Sequence, residues 1–343
     1  MLGHMAWAQL VASLFVILVG AELFTNGVEW VGEGLGLTEG AVGSVLAAVG
    51  TALPETLLPL VAILSGHASG DEIGVGAILG APLMLSTIAL FGFALTVVLV
   101  SRRGSRSPEI EHDPGVVASD LRMFLLLYGL AFLAGLIPVK ALHIALAPIL
   151  IVGYGVFVRR QFRSPGERVV EAEAVGEVRP LRFAAVFGRR GTPSVLLSGT
   201  QTMVGLAVLL AGAELFVHGV KGATDALGVS PLTFSLLVAP LATELPEALN
   251  ASVIWARRGK DVLALGNIAG AMVFQSTFPV VIGLLFTAWK LDAVGAVAAI
   301  TTLVAAGTVL LSIRVRGKLS PRPLLWQGAF YLAYVGYVIL RPR

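Results

Sequence analysis

Residues Gly20 to Thr38 read GAELFTNGVEWVGEGLGLT, and residues Gly212 to Ser230 read GAELFVHGVKGATDALGVS. The two stretches align at an offset of 192, and the same offset lays TALPE at Thr51 over TELPE at Thr243. From Gly20 to Glu55, 14 of 36 ungapped positions are identical, which marks an internal duplication. Beyond the following loops the offset drops to 190 and pairs GAILGAP at Gly76 with GNIAGAM at Gly266.

The duplicated segments lie in a chain of 343 residues that is 56% hydrophobic and only 13% charged. Soluble domains carry about 25% charged residues, so the composition predicts a polytopic membrane protein. Apolar runs of bilayer-spanning length place helices near 5–31, 40–64, 73–100, 122–137 and 139–158. A second set lies near 195–221, 231–256, 262–289, 291–313 and 323–340. The first run has no basic region before it and no small-residue cleavage site after it, so it reads as a spanning helix, not a removed signal. The expected fold is therefore all-α, ten transmembrane helices in two five-helix repeats. The first repeat covers 1–158, a cytoplasmic linker rich in Arg, Glu and Gly covers 159–194, and the second repeat covers 195–343.

Ten spans put both termini on one side. The loops after spans 3, 5, 7 and 9 then hold 19 of the 24 Lys and Arg residues, and five lie on the other side. This asymmetry predicts basic loops in the cytoplasm and both termini outside. The net charge of +3 is accounted for by these topology signals, so nucleic acid is not an expected partner. Membrane lipids are, and the Arg-rich linker reads as a tether or as a contact for anionic headgroups.

Five spans per repeat is an odd number, so the second copy must run upside down relative to the first. Inverted repeats with matching Gly and Pro breaks point to a secondary transporter with its site near mid-membrane. In span 2, Pro54 has no N–H to give to the carbonyl of Gly50, and in span 7 Pro246 deprives Ala242 in the same way. Freed carbonyls need partners, and a bound cation is one. Glu55 and Glu247 follow these prolines directly, at a depth where an unpaired carboxylate is costly. Glu244 lies one turn before Glu247, and Thr51 and Thr243 each sit four residues before a repeat glutamate. Carboxylates, hydroxyls and carbonyls form an all-oxygen set suited to hard cations such as Ca²⁺. Asn267, Ala271 and Gln275 form a stripe on span 8 that offers amide oxygens or hydrogen bonds to a neighbouring helix. Glu22 and its mate Glu214 read equally as helix-bonding or functional residues.

With these residues in hand, the chain resembles the cation/calcium exchanger superfamily, in particular its sodium/calcium exchanger branch. The resemblance rests on GTALPE in span 2 and ATELPE in span 7, each followed by a G-x-x-x-G-A segment, and covers about residues 10–100 and 200–290. It implies that Glu55 and Glu247 coordinate Ca²⁺ with Thr51 and Thr243 beside them, and that the first span of each half slides to alternate access. The chain departs from the family pattern where Ser usually follows the threonine, having Ala52 and Glu244. It departs again at the G-S-N-x-x-N segment, with Gly80, Ala81, Pro82 and Leu85 in span 3 and Gly270, Ala271, Met272 and Gln275 in span 8. Several Na⁺-holding oxygens are missing and one carboxylate is gained.

The expected function is therefore exchange of Ca²⁺, or a similar divalent cation, for Na⁺ by alternating access. Exchange for H⁺ is the alternative, since clustered carboxylates can trade a divalent ion for protons without hydroxyl cages. A channel would need a continuous polar path, against which the inverted repeat argues. An intramembrane enzyme lacks support: there is no cysteine, no HExxH, and His143 and His218 lie in spans as single residues. The expected cation ligands are Glu55, Glu247, Glu244, Thr51, Thr243 and Gln275, with the carbonyls of Gly50 and Ala242. No cofactor and no obligatory oligomer is expected, and the location is a prokaryotic plasma membrane.

Overall fold

The computed structural model describes residues 2–35, 47–111, 113–162, 180–186, 193–244 and 250–341. Every regular element among them is helical. In chain order these are α1 (Leu2–Gly34), α2 (Ala47–Leu64), α3 (Gly70–Arg102), α4 (Pro114–Leu136), α5 (Lys140–Phe162), α6 (Arg182–Val186) and α7 (Val195–Leu227). They continue as α8 (Pro231–Thr243), a π-helical segment at Asn250–Trp255, α9 (Asp261–Gln275), α10 (Phe278–Phe286), α11 (Ala293–Arg316), α12 (Pro321–Leu325) and α13 (Gln327–Leu340).

Among the described residues, eight helices or helix pairs are long and apolar enough to cross a membrane, and two shorter apolar helices, Pro54–Leu64 and Pro231–Leu241, fall where spans 2 and 7 were expected. Large apolar side chains stand outward on these helices, including Phe15, Leu196, Val152 and Leu332. Such exposure suits lipid, not water, and the protein is an integral membrane protein. Helix ends follow local chemistry. Asp113 and Asp292 cap α4 and α11 by accepting from Gly115 and Gly295 N–H at 2.7 Å each, and Ser230 precedes Pro231 at the start of α8. Gly228 and Gly317 end α7 and α11 in the left-handed region.

The chain packs as two compact units that each draw on both halves of the sequence: Met1–Gly70 with Arg163–Gly228, and Asp71–Phe162 with Val229–Arg343. In the first unit, α1 and α7 run antiparallel along a glycine seam. Gly20 lies against Leu209, Gly27 against Thr202 and Gly34 against Val195, while Gly205, Gly212 and Gly219 lie against Phe24, Ile17 and Leu10. A Cβ on Gly20 would stand 2.6 Å from the Leu209 nitrogen, so the two backbones touch. The contacts recur every seven residues, the period of a shallow left-handed crossing. Near the chain's linker, Gln201 and Asn26 are buried and joined at 3.0 Å, and they accept the N–H groups of Phe183 and Arg182 at 2.8 and 3.1 Å. The linker is thus docked at 182–183, while its residues 163–179 and 187–192 lie outside those described.

In the second unit, Gly76 and Gly80 of α3 press on the carbonyls of Leu232 and Leu236 of α8, and the Ser235 hydroxyl donates to the Ile73 carbonyl at 2.7 Å. Small residues thus bring α3 and α8 to backbone contact. Arg106, in the loop after α3, grips Asp261 at the start of α9 with two bonds of 2.9 and 2.6 Å, and neither side chain is more than 6% exposed. Lys140 donates to the carbonyls of Leu284, Leu285 and Thr287 at 2.8–3.0 Å, placing a cation at the C-terminus of α10.

Candidate functional site

α8 ends at Thr243, and Glu244 follows as its C-cap, its N–H bonded to the Pro240 carbonyl at 2.8 Å. Its carboxylate is fully buried, and Gln275 Nε2 donates to Glu244 Oε1 at 2.6 Å. Gln275, the last residue of α9, is itself 1% exposed, and its Oε1 accepts no hydrogen bond among the described residues. The structure thus joins two of the expected ligands, Glu244 and Gln275. Thr243 is half-buried and turns its hydroxyl to the Ala239 carbonyl of its own helix at 3.5 Å.

Glu55 lies inside α2, one residue after Pro54, with 5% of its surface exposed. Gly50 and Thr51 fall in the same helix and Ala242 in α8, with helical backbone. Glu247 and Pro246 lie outside the described residues. Glu55 belongs to the first compact unit and Glu244 and Gln275 to the second. Of the other candidates, Asn267 is half-buried, and Glu22 pairs with Arg182 at 2.5 Å on the surface. His143 is buried and bonds the carbonyls of Ala134 and Ile137 at 3.0 and 3.2 Å.

Sequence reasoning missed a second set of buried oxygens. α3 widens into a π-helical turn at Leu85–Ala89, which carries Ser86 and Thr87, and span 8 breaks between α9 and α10 at Ser276 and Thr277. All four hydroxyl residues are fully buried. Each donates to a carbonyl one turn back: Ser86 and Thr87 to Leu83, Ser276 to Val273 at 2.7 Å and Thr277 to Phe274 at 2.8 Å. Each oxygen keeps lone pairs with which it can accept or ligate. π-turns recur at functional sites. The signal was legible, since the offset of 190 lays Ser86-Thr87 on Ser276-Thr277. Pro279 after the second pair also announced the break.

Chemically, the buried set at α8 and α9 combines a carboxylate, an amide and two hydroxyls. It contains no sulfur and no imidazole, which suits a hard cation or a proton.

Comparison with known proteins identifies the family. The family model described as sodium/calcium exchanger protein matches residues 5–163 and 198–341. A protein of Alkalimonas amylolytica named as an antiporter, CaxA, is 27% identical over 97% of this chain and 99% of its own length. An uncharacterized membrane protein of Methanocaldococcus jannaschii is 25% identical over 80% of this chain and 79% of its own. Among solved structures, the H⁺/Ca²⁺ exchanger CAX shares the fold with a TM-score of 0.71 at 20% identity, covering 98% of this chain and 82% of that one. The sodium-calcium exchanger NCX_Mj gives 0.53 at 22% identity, covering 98% and 99%. Matched over both halves of its length, the chain belongs to the sodium/calcium exchanger protein family.

Proposed function

We propose that the protein is a secondary active antiporter that exchanges Ca²⁺, or a similar divalent cation, for Na⁺ by alternating access. The observation that carries this reading is the buried carboxylate Glu244, held by Gln275 directly after the C-terminus of α8. A charge at that depth is costly unless it meets a cation. The ligands we assign are Glu55, Glu247, Glu244, Thr51, Thr243 and Gln275, with the carbonyls of Gly50 and Ala242, and Ser276 and Thr277 are added to them. The architecture that goes with this reading has ten spans in two inverted repeats, residues 1–158 and 195–343, joined by the linker 159–194. The termini lie outside and the basic loops in the cytoplasm. The equivalent placing of the repeat mates Gly20 and Gly212 in the α1–α7 seam supports it.

A second reading replaces Na⁺ by H⁺, and the Glu244–Gln275 pair favours it. An ionised Glu244 accepts from the Gln275 amide, as observed. A protonated Glu244 would instead donate to the Gln275 oxygen after the amide turns over, and that buried oxygen accepts no hydrogen bond among the described residues. One glutamine thus serves both protonation states.

Reconstitution in liposomes decides between them. ⁴⁵Ca²⁺ uptake driven by an outward Na⁺ gradient supports the first reading, and uptake driven only by an outward H⁺ gradient supports the second. Uptake indifferent to both gradients would remove the antiporter.

A further inference from the structure

Three side chains of the first compact unit, none of them among the assigned cation ligands, converge. His67 sits in the turn between α2 and α3, where its N–H meets the Ser65 hydroxyl at 3.3 Å and its carbonyl accepts from Gly70 at 2.9 Å. Glu214 and His218 lie four residues apart on α7, so they share one face. His67 Nε2 stands 3.3 Å from Glu214 Oε1, and His218 Nε2 stands 3.5 Å from the same oxygen. The two imidazole rings are 4.6 Å apart in an edge-to-face arrangement, and the three ligand atoms all lie within 4.8 Å of one another.

We propose that His67, Glu214 and His218 form a binding site for a divalent transition metal of the Zn²⁺ class, separate from the transported cation's ligands. Metal–ligand bonds of about 2.0–2.1 Å in a tetrahedron set the ligand atoms about 3.3–3.4 Å apart. Two of the three separations, 3.3 and 3.5 Å, are close to that length, and the third is within 4.8 Å. Two imidazoles and one carboxylate are the donor set of zinc sites that keep an open position for water, and the side chains are 31–51% exposed, so water and metal can enter. Ca²⁺ has no use for imidazole nitrogen, which separates this site from Glu244 and its oxygens.

The repeat provides a comparison within the same unit. Glu22 and Asn26 of α1 stand at the positions of Glu214 and His218, and there the partner is Arg182, whose guanidinium meets Glu22 and whose N–H meets Asn26. A fixed cation thus occupies the α1 copy. In the α7 copy, two imidazoles take its place, and each offers one ring nitrogen to a metal. Bound there, a metal would tie the end of α2 to α7.

The test uses purified full-length protein without a polyhistidine tag. Zn²⁺ is titrated by calorimetry and Co²⁺ by its visible spectrum at pH 7.5, with and without excess Ca²⁺, in the wild type, His67→Ala, His218→Ala, Glu214→Gln and Glu55→Gln. We expect one metal per chain with a tetrahedral Co²⁺ spectrum in the wild type and in Glu55→Gln, unaffected by Ca²⁺. We expect its loss in the other three variants. Zn²⁺ should raise the melting temperature of the wild type but not of His67→Ala or His218→Ala, all three melting alike without metal. Absence of stoichiometric binding, binding that survives both histidine substitutions, or displacement by Ca²⁺ would overturn the proposal.

Discussion

Gln275 Nε2 donates to Glu244 Oε1 at 2.6 Å, with both side chains buried, so the amide at the end of α9 is a partner of the gained carboxylate that follows α8. Removing the donor should therefore do more harm than removing the carboxylate. Gln275→Leu takes a hydrogen bond from a buried carboxylate, a cost of about 1–3 kcal/mol, whereas Glu244→Ser removes the charge as well. We expect Gln275→Leu to melt lowest and Glu244→Ser/Gln275→Leu to recover part of the loss, with Glu244→Ser still transporting but with an altered pH profile. Melting in detergent and ⁴⁵Ca²⁺ uptake across a pH series measure both. Additive losses would show that the pair is not coupled.

Glu55→Gln and Glu247→Gln each remove charge while nearly keeping shape, and each should reduce divalent exchange to the level of empty liposomes. Equilibrium ⁴⁵Ca²⁺ binding should fall in parallel. Full exchange in either variant would take that glutamate out of the site.

The glycine seam makes a prediction about speed. A Cβ on Gly20 would meet Leu209 backbone, and one on Gly212 would stand 2.9 Å from both Cγ1 and the nitrogen of Ile17. Forcing larger residues into such contacts costs about 1–3 kcal/mol. Gly20→Leu and Gly212→Leu should lower the melting temperature and slow exchange while leaving Ca²⁺ binding nearly intact. Gly129→Ala, where an added Cβ meets nothing within 4 Å, is the control. If binding is lost in step with exchange, the seam only holds the fold together.

Arg106 and Asp261 form a buried bidentate pair. Arg106→Ala strands the carboxylate and should cost about 3–5 kcal/mol, read as a large fall in melting temperature. Arg106→Met with Asp261→Leu should recover most of it. A single variant as stable as the wild type would show that water reaches Asp261.

Legibility in the sequence followed the range of each interaction. Pro231 as the first residue of α8 was readable from Ser230 and Pro231 alone, and the limits of α3 and α11 fell within a few residues of the expected spans, because caps and apolar runs are local. The break at Ser276 and Thr277 was also local, but the apolar run through it disguised one span made of two helices. His218 read as a single residue because its partner His67 lies 151 positions away, and no periodicity links a turn to a helix face at that distance. Glu244 showed itself as an extra charge in one repeat. Its bond to Gln275 needed the packing of α8 and α9 to be seen.

α1 and α7 each run for 33 residues, about 50 Å of helix, against a hydrocarbon layer of about 30 Å. Helices that long must tilt or protrude. Because their backbones touch along most of that length, neither can change its inclination alone, and the pair has the bending stiffness of a single double-width strut. A small change of angle at one membrane face therefore reaches the opposite face as a displacement of both helix ends, in opposite senses about the pivot.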